Sequence, residues 1–165
     1  MNKMQTIKIE KIVLSIGGTA DNLEKGFKLI QKISGKTPMK RKSNKRIPSF
    51  GVRPGLEVGV MVTIRGKQGA ELLKRLLGAI ENTLKKKQIA ENSFSFGIKE
   101  YIEIPNMEYL REVGIIGLDV SVTFVRPGKR VIRKKIKRGK LPQKQNISKE
   151  EIIEFMKKNF NTNII

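Results

Sequence analysis

Several stretches of this chain alternate between an apolar set and a second set of side chains. In residues 57–65, Val58, Val60, Val62 and Ile64 fall on one side and Met61, Thr63 and Arg65 on the other. In residues 118–125, Leu118, Val120, Val122 and Phe124 oppose Asp119, Ser121 and Thr123. In residues 7–16, Ile12, Leu14 and Ile16 alternate with Lys11, Val13 and Ser15. Successive side chains of a strand point to opposite faces, so each stretch predicts a strand with one buried face. Residues 94–104 place Phe94, Phe96, Ile98, Ile102 and Ile104 in one register and predict a fourth strand.

Helical spacing appears between them. Asp21 and Glu24 form a capping pair for a helix running to about Ser34, with Leu23, Phe27 and Ile30 as its stripe and Gly35 as its stop. Leu73, Leu76, Leu77, Ile80 and Leu84 predict a helix over 67–87. Ser148 and Glu151 form a capping box that opens a C-terminal helix over 148–160, with Ile152, Phe155 and Met156 facing in. Residues 36–56 hold three prolines and two glycines and predict a long polar loop, a feature that is usually functional in a compact domain. One-sided strands and one-sided helices together predict an α+β fold. It is a two-layer domain over 1–165, a mainly antiparallel sheet with helices on one face, plus a basic extended segment over 126–147. The other sheet face is then open, and Ser15, Thr63, Arg65, Ser121 and Thr123 lie on it.

Composition narrows the chemistry. The 165 residues include no cysteine, no histidine and no tryptophan. A thiolate zinc site, a cysteine nucleophile and a serine-histidine-aspartate triad are excluded. The longest uninterrupted run of apolar residues and glycine, residues 113–118, is too short to span a bilayer. The first residues mix charge and apolarity, unlike a signal peptide. Gly35-Lys36-Thr37 resembles the end of a phosphate-binding loop, but Ile30 stands where its first glycine belongs. Glu100 and Glu103 would face opposite sides of a strand, so no paired carboxylates emerge. Phe94 and Phe96 share the apolar register and are expected in the core, not on a base-stacking platform.

Charge then changes the picture. The chain carries 35 Lys and Arg against 15 Asp and Glu, a net +20. Residues 25–56 hold ten basic residues and no acid, and residues 120–149 hold eleven and no acid. The remaining residues carry 14 basic and 15 acidic side chains, a net of −1. Two uncompensated positive segments on a neutral body call for a polyanion, and nucleic acid releases counterions when its phosphates are neutralised. The loop Lys45 to Gly55 mixes cations with Ile47, Phe50 and Val52, so its tip can meet a nucleic-acid backbone and also pack against a surface. The open alternatives are a nucleic-acid chaperone or chromosome-coating protein, and a small phosphoryl-transfer enzyme that would depend on Lys36.

The ordered motifs IEKIVLSIG, ISGKTP, KRIPSFGVRPG, VTIRG, FSFGIKEYIEIP, GIIGLDVSVTFVRPG and ISKEEIIEFM resemble one family across essentially the whole chain. It is the universal large-subunit ribosomal protein family, numbered five in bacteria and eleven in eukaryotes. The final basic segment and the SKEE helix resemble its archaeal and eukaryotic branch. The resemblance implies a non-enzymatic ribosomal protein of the cytoplasm that binds 5S rRNA and attaches it to the large subunit in the central protuberance. It implies contacts with large-subunit rRNA, with the P-site tRNA, with neighbouring ribosomal proteins and with a small-subunit head protein across an intersubunit bridge. It implies no cofactor, no metal, no membrane and no small-molecule substrate.

By the same resemblance, the 5S rRNA contact falls on Lys11, Ser15, Gly17, Lys36, Thr37, Thr63 and Arg65. Other rRNA contacts fall on Arg126, Lys129, Arg130, Arg133, Lys134 and Lys135. The tRNA loop comprises Arg46, Ile47, Pro48, Ser49, Phe50, Gly51, Val52 and Arg53. The family commonly has Asn where Ser15 stands and Gln where Lys36 stands. Ser15 has a shorter reach, and Lys36 exchanges an amide for a charge. The segment 126–144 is expected to be extended or disordered until RNA orders it.

Overall fold

The structure, a computed structural model, describes residues 2–165. In chain order it holds β1 (Lys8–Gly17), α1 (Asp21–Ser34), β2 (Met39–Lys42), β3 (Glu57–Ile64) and α2 (Lys67–Gly78). Then follow β4 (Thr83–Leu84), β5 (Ile89–Ala90), β6 (Ser93–Ile98), β7 (Leu118–Val125), α3 (Arg130–Arg133), α4 (Lys149–Phe160) and β8 (Asn163–Ile164). Six strands form a mainly antiparallel sheet in the order β2-β3-β1-β7-β6-β5, and β4 pairs with β8. The fold is α+β, as the alternating strands and amphipathic helices predict.

The chain divides into two compact units. One holds Val13–Ile64 and Gly97–Val120; the other holds the residues up to Ile12, Arg65–Phe96 and Ser121–Ile165. In the first unit, α1 buries Leu23, Gly26, Leu29, Ile30 and Ile33. It covers the face of β1 that carries Leu14 and Ile16. The approach is close because position 26 has no side chain: a Cβ there would stand 3.1 Å from Ile16 Cγ2. In the second unit, Phe94 of β6 stacks on Phe124 of β7, ring centroids 5.7 Å apart. Phe124 meets Phe155 of α4 edge-on. Both phenylalanines of β6 are core residues. Each buried large apolar side chain contributes roughly 1.5–3 kcal/mol.

Four local expectations are corrected. The stretch 36–56 is not a plain loop: β2 pairs antiparallel with β3, with Met39 opposite Met61. Its sequence MKRK shows no alternation because all four residues are exposed on an edge strand. The helix expected over 67–87 stops at Gly78. Glu81 and Asn82 take left-handed backbone angles, and Leu84 is buried on β4, although its spacing fits a helix. The strand expected over 94–104 stops at Ile98, and a 3-10 turn over Tyr101–Glu103 exposes Ile102 while burying Tyr101 and Ile104. Tyr101 Oη accepts from the Leu110 N–H at 2.9 Å, which ties down the chain beyond that turn. Finally, Asp21 is the first residue of α1, and the preceding Ala20 supplies no side-chain capping bond. The C-terminal helix has the expected capping box, with Ser148 Oγ accepting from the Glu151 N–H at 3.3 Å.

Candidate nucleic-acid interface

β1 and β3 hold their apolar residues on the face covered by α1, which leaves Ser15, Met61 and Thr63 half-exposed on the other. The register sets Met39, the first residue of β2, opposite Met61, and Thr63 follows two residues later on β3. Lys36 and Thr37 follow the left-handed Gly35 that ends α1, and both are exposed. Lys36 N–H donates to Ser34 Oγ at 3.2 Å, which fixes the backbone just before Thr37. The fold thus brings Lys36, Thr37 and Thr63 to one end of the β2–β3 pair. Ser15 lies on the adjacent β1, and Gly17, exposed, ends that strand. Arg65 is exposed one residue past β3, and Lys11 is half-exposed on the same register of β1 as Ser15. Short hydroxyls flanked by cations let a phosphate–sugar backbone come close and supply donors to it.

The β2–β3 connection is a stiff projection. Ser43 N–H donates to Leu56 O at 2.8 Å and extends the ladder past β2. Further out, Ile47 and Val52 exchange two backbone hydrogen bonds of 2.9 and 3.1 Å around a 3-10 turn at Pro48–Phe50. Gly51 supplies the left-handed φ of +64° that closes this turn. Val52 tucks into the core, whereas Phe50 is 76% exposed at the tip. Arg46, Ser49 and Arg53 are exposed beside it. The sequence pattern left open whether Ile47, Phe50 and Val52 fold back; Val52 does, and Ile47 and Phe50 do not.

The basic segment after β7 contains two short helical turns. α3 forms over Arg130–Arg133, and a 3-10 turn over Gln143–Gln145. Arg126 donates to Lys144 O at 3.0 Å and pairs with Glu151 of α4, closing the segment at its base. Lys129 Nζ lies 2.8 Å from Glu10 Oε2, and Arg133 pairs with Glu10 Oε1. Three of the six expected rRNA-contacting side chains therefore already hold carboxylates. Arg130, Lys134 and Lys135 are exposed and enter no ion pair among the described residues.

One feature of the site was missed by reading charge in large blocks. Residues 99–119 carry Lys99 and Arg111 against Glu100, Glu103, Glu108, Glu112 and Asp119, a net of −3. Ile102, Tyr109 and Ile115 are exposed in the same stretch. A charge window of about twenty residues would have found it. Glu112 accepts from Lys28 Nζ at 2.8 Å. That hydrogen bond, and then the charge of its partner, raises the Lys28 pKa above its ordinary value and lowers that of Glu112.

Among the described residues no group of acidic side chains is placed to hold a metal, and no helix is long and apolar enough to cross a membrane. A cleft of about 460 Å³ beside α1 is lined by Asp21, Glu24, Lys40, Lys42 and Glu57, with the Lys40–Glu57 pair closed at 3.1 Å. It presents no nucleophile beside a base.

Residues 2–53 match the family described as ribosomal protein L5, and residues 57–155 match the model of that ribosomal family's C-terminus. The chain belongs to the ribosomal protein L5 family. It is 41% identical to the large ribosomal subunit protein uL5 of Nanoarchaeum equitans over 98% of each chain. It is 40% identical to that of Sulfurisphaera tokodaii over 100% of this chain and 96% of the relative. With that of Methanobrevibacter smithii it shares 38% identity over 100% and 99%. The L5 family match agrees with the resemblance drawn from the motifs, including its archaeal character, and its members are structural ribosomal proteins and not enzymes. The boundary between the two family segments falls at residues 54–56, just before β3.

Proposed function

We propose that this chain is a structural constituent of the large ribosomal subunit in the cytoplasm, and that it binds 5S rRNA and attaches it in the central protuberance. The observation that carries this reading is the set of exposed cations beside small hydroxyls. Lys36 and Thr37 lie just before β2 and Thr63 near the end of β3, the strand that Arg65 follows, and neither Lys36 nor Arg65 is neutralised by an ion pair among the described residues. Ser15, Gly17 and Lys11 extend this surface along β1. Ser15 and Thr63 are held on strands before RNA arrives, which reduces the ordering cost of binding.

Three further contacts belong to this reading. The tip from Arg46 to Arg53, with Phe50 outermost, suits the P-site tRNA: cations meet phosphate and the ring stacks or packs. The exposed cations Arg130, Lys134 and Lys135 suit large-subunit rRNA. The acidic, apolar stretch 99–119 repels phosphate and suits a basic protein surface, such as that of a small-subunit head protein across the intersubunit bridge.

The test is filter binding of the full chain to 5S rRNA and to an unrelated RNA of equal length at one fixed salt concentration. Tighter binding to 5S rRNA is expected. Equal affinity for both, or for bulk double-stranded DNA, overturns the reading in favour of a general nucleic-acid coat.

A further inference from the structure

The register of β1 that carries Ile16, Leu14 and Ile12 into the core continues to Glu10. A carboxylate therefore stands where the pattern calls for an apolar residue, and its side chain is only 8% exposed. A buried carboxylate persists when its charge and both oxygens are satisfied. Here both are: Lys129 takes Oε2 at 2.8 Å and Arg133 takes Oε1. The two cations sit four residues apart, on and just before α3, so a single helical turn presents both to one acceptor.

We propose that Glu10 is a positioning residue for RNA binding: it anchors α3 to β1 so that Arg130, Lys134 and Lys135 face outward before RNA arrives. The proposal rests on the RNA-binding reading above. Removing the anchor would leave Lys129 and Arg133 without their acceptor and free the turn to move. The exchange of these cations onto phosphate is disfavoured, because it strands a buried charge at Glu10. Arg126 makes the matching anchor at the other end, through Lys144 O and Glu151. Between the anchors the chain is folded on itself: Gly139 N–H donates to Val131 O at 3.2 Å. The exposed Ile136 and its flanking cations Lys135, Lys137 and Arg138 thus sit on a closed loop and not on a free tail.

Charge and position predict opposite signs for Glu10→Gln. If Glu10 only dilutes positive charge, its removal raises the net charge by one and tightens binding to every RNA. If it positions α3, affinity for large-subunit rRNA falls about tenfold, the scale of a few side chains losing preorganisation, while affinity for unrelated RNA of equal length holds or rises. Glu10→Gln binding large-subunit rRNA as tightly as wild type, or more tightly, overturns the proposal. A second measurement needs no variant. In the wild-type chain without RNA, the amides of Val131, Ile132 and Lys134, which donate to Gly128, Lys129 and Arg130, should exchange more slowly than the amides of Lys135–Arg138. Equally fast exchange across both sets overturns the anchor. A wild-type chain without preference for 5S rRNA overturns the functional reading instead, and the exchange data then still decide the anchor.

Discussion

The ring of Phe155 on α4 meets the ring of Phe124 on β7 edge-on, with centroids 5.5 Å apart and planes at 72°. Phe124 stacks in turn on Phe94, and Phe94 on Phe96 at 5.9 Å. Edge-to-face contact sets the positive ring edge against a negative ring face, so it adds to simple burial. This aromatic row docks α4, the helix that carries Glu151 and so closes the base of the basic segment. Core packing and the basic segment are thereby linked.

Phe124→Ala should therefore be costly. The side chain is fully buried, and truncation removes two ring contacts and leaves a cavity. A loss of about 3–5 kcal/mol is expected from urea unfolding. A loss under about 1 kcal/mol would mean that α4 does not depend on this contact.

Position 26 tests how closely α1 approaches β1. Gly26→Ala improves helix propensity by about 1 kcal/mol but asks Ile16 to yield a few tenths of an ångström. The two effects nearly cancel, so little change is expected. Gly26→Leu has no such compensation and should destabilise by about 1–3 kcal/mol in the same measurement.

The Lys28–Glu112 pair gives a pH signature. The Glu112 pKa is lowered, so its contribution is present above the ordinary carboxylate value and is lost as pH falls through the folded value. The Lys28 pKa is raised, so its contribution is present below the ordinary lysine value of 10.5 and is lost as pH rises through the folded value. NMR titration should show the Glu112 midpoint displaced downward, and Glu112→Gln should return Lys28 toward its ordinary behaviour. Both side chains are largely exposed, so the urea midpoint should scarcely move.

Arg65→Ala should weaken 5S rRNA binding by about tenfold, the cost of one good arginine contact. Arg130→Ala should cost less, because Arg130 is one of several exposed cations on its own segment and lies outside the β1–β3 surface. Equal losses in a gel-shift series at fixed salt would count against the β3 end as the main contact.

Reversing the charges of Arg46 and Arg53 should spare 5S rRNA binding and impair binding of P-site tRNA to reconstituted ribosomes. Phe50→Ser should leave stability within about 0.5 kcal/mol of wild type, because the ring is exposed. Loss of 5S rRNA binding in either variant would remove the proposed division between the two surfaces.

Alternation along β1, β3 and β7 determined which face of each strand is buried, because burying one side of a pleated strand requires that spacing whatever lies against it. The charge blocks and the ordered motifs likewise determined, without coordinates, that a polyanion is the partner to expect and which family the chain resembles. The tertiary structure alone decided the rest. β2 is invisible in the sequence because an edge strand buries no side chain and so leaves no pattern. Leu84 keeps helical spacing but is buried on β4, whose partner strand lies 80 residues further along the chain, with Thr83 paired to Asn163. Glu10 and its two cations are 119 and 123 residues apart in sequence, from numbers 10, 129 and 133, and only folding makes them neighbours. Local spacing encodes which side of an element is apolar; what an ion pair or a short strand meets depends on chain segments that no local window contains.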